Sequence, residues 1–78
     1  MDVKHEVELI MGEILGGTVS IENDANLMYD YGMDSLQVMN LVVRLEDRFN
    51  IEFELDDLII EDLIVFSKIV EHIRHMLE

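Results

Sequence analysis

Seventy-eight residues with eighteen Asp or Glu against five Lys or Arg give a formal net charge of −13. A chain this acidic repels nucleic acid and anionic membrane surfaces, and the lack of cysteine excludes a disulfide framework or a Cys-ligated metal. Half of the residues are hydrophobic, so the chain is expected to fold as one small domain over residues 1–78, with stability on the order of 4–12 kcal/mol.

Val3, Val7, Ile10, Met11, Ile14 and Leu15 recur at helical spacing, and Gly16-Gly17 stops this first helix. Residues 18–33 are rich in Thr, Ser, Asn, Asp and Gly and read as a loop, with Ile21 and Leu27 as its expected buried anchors. A loop of this length inside a small domain is unusual and generally functional. It leads into Gly32-Met33-Asp34-Ser35-Leu36 and a second helix over residues 35–49, whose Val38, Leu41, Val42, Leu45 and Phe49 form an apolar stripe. A short helical segment is expected around residues 55–60, after the extended-looking Ile51-Glu52-Phe53. The last helix is expected over residues 63–77, with Phe66, Ile69, Val70, Ile73 and Leu77 facing inward. The expected fold class is all-α: a small four-helix bundle of three longer helices and one short one, with a long loop between helices one and two. Charged residues interrupt every apolar run short of the roughly 18–20 residues a membrane span needs. Met1-Asp2-Val3-Lys4-His5-Glu6 has no signal-peptide organisation, and a cytoplasmic location is expected.

Ser35 draws the functional reading. Its hydroxyl sits in the first turn of a helix, just after a glycine-containing loop. A phosphodiester there would lie beside unpaired backbone N–H groups and the positive end of the helix dipole. By itself, a serine after an aspartate at a helix start is most often a cap. The context is more specific. Leu27 and Tyr31 precede the serine by eight and four residues, and Leu45-Glu46-Asp47-Arg48-Phe49-Asn50-Ile51 and a strongly acidic segment follow it.

Over nearly the whole chain this pattern resembles the acyl carrier protein family, including the peptidyl carrier domains of peptide synthetases. The resemblance implies that Ser35 carries a 4′-phosphopantetheine arm. A phosphopantetheinyl transferase would add it from coenzyme A, with Mg²⁺ serving that transfer only. The arm's thiol would hold acyl or aminoacyl groups as thioesters. The implied partners are that transferase, an acyl- or aminoacyl-loading enzyme, and downstream synthase enzymes of fatty acid, polyketide or nonribosomal peptide biosynthesis. The chain itself would be a non-catalytic monomer without a metal site. Asp34 would either orient the exchange on the serine or simply cap the helix.

Leu36, Met39 and Val43 form a second apolar stripe on helix two, turned away from most of the first. Either it widens the buried face, or it is an exposed docking patch, to which methionine's flexible thioether is suited. The resemblance favours docking, with Gln37, Asn40, Arg44 and Asp47 on the rim. This helix departs from fatty-acid-type carriers, which tend to be acidic along it. Here Glu46-Asp47 is balanced in sequence by Arg44 and Arg48. Arg44 looks like the peptidyl carriers, whereas Gly32-Met33-Asp34-Ser35 looks like the acyl carriers.

Other constellations are weaker. Asp24-x-Asn26 fails as a calcium loop, because Met28, Tyr29 and Ser35 stand where an oxygen ligand, a glycine and a bidentate glutamate are needed. The acidic run Glu52, Glu54, Asp56, Asp57, Glu61 and Asp62 reads as solvated charge with at most diffuse divalent-cation binding. His72 and His75 read as surface residues rather than a metal pair. No glycine follows Ser35, so a hydrolase nucleophile elbow is absent. The alternative to a carrier is an acidic helical protein-interaction domain that is never modified.

Overall fold

The structure, a computed structural model, describes residues 2–54 and 60–78 apart from the side chains of Ile60 and Asp62. Its helices are α1 (Val3–Leu15), α2 (Leu27–Tyr31), α3 (Ser35–Phe49), α4 (Ile60–Leu63) and α5 (Phe66–Leu77). The fold is the expected all-α bundle with a long connection between its first two long helices. α1 packs against α3 and α5. Val7, Ile10 and Met11 of α1 meet Val38, Leu41 and Leu45 of α3 and Phe66, Ile69 and Ile73 of α5 in a single buried cluster. Burial of these three stripes is the main driving force for the bundle.

Asp2 caps α1 by accepting the His5 N–H at 3.2 Å. The other end closes on glycine. Gly16 adopts φ 84°, and the N–H groups of Gly16 and Gly17 both donate to the Gly12 carbonyl, at 2.8 and 2.9 Å. The chain folds back so tightly that a Cβ on Gly12 would lie 2.2 Å from the Gly17 carbonyl oxygen. Only a bare backbone at Gly12 permits that return. The loop is then fastened to α1, where Glu8 Oε2 accepts the Ile21 N–H at 2.7 Å. Ile21 and Leu27 are buried, as their positions in the loop suggest.

The stretch expected to be wholly loop contains one further helix, α2. Asn26 Oδ1 accepts the Met28 and Tyr29 N–H groups, both at 3.0 Å, and Gly32 ends the helix at φ 68°. Five residues are too few to display a helical period, yet the Asn and Gly punctuation at its two ends is in the sequence. The residues around α2 are tied by backbone bonds to the start of α5. Leu27 donates to the Ile64 carbonyl at 2.7 Å, Phe66 to that of Ala25 at 3.1 Å, and Ser67 to that of Asn23 at 2.8 Å.

The last helix differs from the expected span. Of the short segment expected at 55–60, residues 55–59 lie outside the described residues, and Ile60 opens α4, which runs to Leu63. α5 begins only at Phe66. Val65 between them is extended (φ −98°, ψ 119°) and forms an isolated bridge with Asn26. The β-branched pair Ile64-Val65 suits an extended link, and the bonds to Ala25 and Leu27 reward it. Leu77 is not an inward residue. It is 45% exposed at the end of α5, one turn beyond Ile73, the last buried position.

Candidate functional site

The site is built on the start of α3. Met33 is buried, and its N–H donates to the Leu27 carbonyl at 3.2 Å, so the chain is anchored two residues before Ser35. Asp34 follows in extended conformation as the N-cap. Its Oδ1 accepts the Gln37 N–H at 2.8 Å, and Gln37 Oε1 accepts the Asp34 N–H at 3.2 Å. This reciprocal capping box settles which residue caps the helix: Asp34 does. Ser35 is the first helical residue, and its exposed side chain makes no hydrogen bond among the described residues. The N–H groups of Ser35 and Leu36 also have no acceptor among those residues. A free hydroxyl therefore stands beside open amide donors, an arrangement that suits an attached phosphate.

The second stripe of α3 faces out. Leu36 is 81%, Met39 38% and Val43 59% exposed. It does not widen the core, whose α3 contribution is Val38, Leu41, Val42, Leu45 and Phe49. Of the expected rim, Gln37 is engaged in the capping box, and Asn40 Oδ1 accepts Arg44 Nε at 3.4 Å. Asp47 lies with Val43, Arg44 and Ile51 around an open hollow. Tyr29 on α2 is a large exposed side chain that the sequence reading passed over, because it lies in a helix too short to reveal its outward face.

The charge balance of α3 is not made within α3. Arg48 Nη1 donates to Glu6 Oε2 at 2.5 Å and its Nη2 lies 3.6 Å from Glu13 Oε1, while Arg44 Nη1 reaches Glu13 Oε2 at 3.3 Å. Glu46 turns the other way and accepts the Phe53 N–H at 2.9 Å. Such exposed pairs add little stability, up to about 1 kcal/mol each. They do keep both guanidinium groups directed toward α1.

His72 is partly buried and stacks on Phe53, with ring centroids 5.2 Å apart, whereas His75 is exposed 4.0 Å from Glu78. Among the described residues no group of three or more His, Asp or Glu is placed to hold a metal ion, and no helix is long and apolar enough to cross a membrane.

A protein-family model described as "Phosphopantetheine attachment site" matches residues 5–73. The chain is also 36% identical over 77 residues to the "Acyl carrier protein" of Desulforapulum autotrophicum, with 95% of this chain and 96% of that protein covered. The chain belongs to the acyl carrier protein family. A "Probable acyl carrier protein" of Caulobacter vibrioides is 31% identical over 70 residues, covering 88% of this chain and 81% of that one. The family match runs from the first turn of α1 to the last buried residue of α5. Ser35, the loop before it and the outward stripe of α3 all lie inside it.

Proposed function

We propose that the chain is an acyl carrier in which Ser35 is the attachment residue for 4′-phosphopantetheine. The observation that supports this most directly is the division of labour at the start of α3. Asp34 supplies the cap, so the neighbouring Ser35 hydroxyl is exposed and uncommitted. In the loading reaction, Ser35 Oγ forms a bond to the phosphorus that bears the pantetheine. The anhydride bond to the nucleotide half of coenzyme A breaks, and the serine proton leaves to the transferase. Asp34 and Gln37 hold the helix start in one geometry during that exchange, and the open N–H groups of Ser35 and Leu36 would be available as donors to the resulting phosphodiester. Once attached, the arm supplies a thiol that holds acyl or aminoacyl groups as thioesters for partner enzymes in the cytoplasm.

The test is incubation with coenzyme A, Mg²⁺ and a broad-specificity phosphopantetheinyl transferase, followed by intact mass and fragmentation of the modified peptide. One added phosphopantetheine on Ser35 is the expected result. No gain by a folded sample, with several transferases tried, would instead favour an unmodified interaction domain.

Leu36, Met39 and Val43 are the proposed docking contacts, with Gln37, Asn40, Arg44 and Asp47 around them. α3 carries Arg44, Glu46, Asp47 and Arg48, no net charge, and both arginines are occupied by α1 carboxylates. Partners therefore read this face by shape and apolar contact more than by charge. The double variant Leu36→Asp, Val43→Asp should lower kcat/KM for loading by about tenfold, as loss of a central apolar contact does, while the wild-type rate varies weakly with salt. A steep salt dependence with an unimpaired double variant would contradict this reading.

A further inference from the structure

Five cations face eighteen carboxylates in this chain, so a lysine or arginine without an acidic partner calls for explanation. Two of them, Lys4 and Arg74, make no hydrogen bond or ion pair among the described residues. Both line the same groove, together with Asn23, Ser67, Val70 and Glu71, a space of about 320 Å³ where α1, the loop and α5 meet. That volume is at the lower end of small-ligand sites, which span roughly 300–1,000 Å³.

Neither cation is placed for the good of its own helix alone. Lys4 is in the first turn of α1 and is half-buried. There it faces the positive end of the helix dipole and loses part of its hydration, both unfavourable to a positive charge. Arg74, in the last turn of α5, does suit its helix dipole, but its guanidinium still has no partner. The floor between them is held in place by backbone, because the Ser67 N–H donates to the Asn23 carbonyl at 2.8 Å. The Ser67 hydroxyl and the Asn23 amide are neutral donors at the same groove. Lys4 and Arg74 against Glu71 leave one net positive charge.

We propose that this groove is a second binding site, for an oxyanion carried by a small metabolite: a carboxylate or a phosphate ester. Arg74 offers a planar fork and Lys4 a point charge, the two modes by which proteins hold such groups. The surrounding charge of −13 opposes any anion at long range. At physiological ionic strength, screening confines that repulsion to about 8 Å. The site accordingly binds weakly and is selective by local charge. None of its lining residues belongs to α3, so it is independent of Ser35 and can be occupied in the apo or the loaded carrier.

The test is an amide NMR titration of the full chain with sodium acetate and, separately, inorganic phosphate, each against sodium chloride at matched ionic strength. Saturable shifts confined to Lys4, Asn23, Ser67 and Arg74 are expected with at least one of the two anions. The anion that saturates at the lower concentration identifies the ligand chemistry. Lys4→Gln or Arg74→Gln should each weaken binding about five- to tenfold, and Glu71→Gln should strengthen it by about the same factor. Lys68→Gln, on the same helix but not lining the groove, should leave it unchanged. Shifts that do not saturate, that chloride reproduces, or that persist in Lys4→Gln and Arg74→Gln would overturn the proposal.

Discussion

A Ser35→Ala protein should melt within a few degrees of the wild type and gain no mass with coenzyme A and a phosphopantetheinyl transferase. The first half of that expectation comes from the helix start. Had Ser35 been the cap, its removal would cost about 0.5–2 kcal/mol. Asp34 Oδ1 takes the Gln37 N–H instead, and the Ser35 hydroxyl bonds to nothing among the described residues. Alanine is also the better helix former, so the net change should stay within about 0.5 kcal/mol, as for an exposed site. The second half is all-or-none, because alanine has no oxygen to bond to phosphorus. Circular dichroism melting and intact mass on the same sample check both. A folded Ser35→Ala protein that still gains the arm would move the attachment elsewhere; an unfolded one would mean that the serine has a structural role absent from this geometry.

Phe66→Ala should be the most damaging single change to the fold. Phe66 is fully buried at the first turn of α5, and that helix has no side-chain cap at its N-terminus. What holds its start is the Phe66 ring in the core together with the Phe66 and Ser67 N–H groups on the Ala25 and Asn23 carbonyls, at 3.1 and 2.8 Å. Removing a buried Phe costs about 3–5 kcal/mol, against a total on the order of 4–12 kcal/mol for a chain of this size. Urea unfolding should show a much lower midpoint with a similar slope. Because Ala25 lies just before α2 and Leu27 opens it, the damage should reach the segment that positions Ser35, and loading should slow in proportion to the unfolded fraction. An unchanged midpoint would show that the α5 start is held by something other than this ring.

The long helices were legible because each carries many repeats of its apolar period. Val38, Leu41, Val42, Leu45 and Phe49 are all buried in α3, as their spacing indicates. Ser35 stood out for a different reason: its place at a helix start drew attention to it, and the extended pattern of residues around it made the reading specific. What periodicity could not show is short or depends on distant partners. α2 has five residues. The break at Ile64-Val65 exists because those residues bond to a loop some forty positions earlier. Leu77 continues the α5 stripe in sequence, but the core has ended by then. Whether Leu36, Met39 and Val43 face in or out depends on where α1 and α5 pack, and the structure turns them outward.

The pairing of Arg44 and Arg48 with Glu13 and Glu6 makes the electrostatic character of α3 a property of two helices. Aligning only the segment around Ser35 with that of another carrier therefore misjudges the charge this helix presents. A chimera that transplants α3 into a host lacking those two carboxylates would unmask two guanidinium groups on the helix that carries the exposed stripe of Leu36, Met39 and Val43. The charge shown around Leu36, Met39 and Val43 is then inherited, or lost, through substitutions at Glu6 and Glu13 of α1.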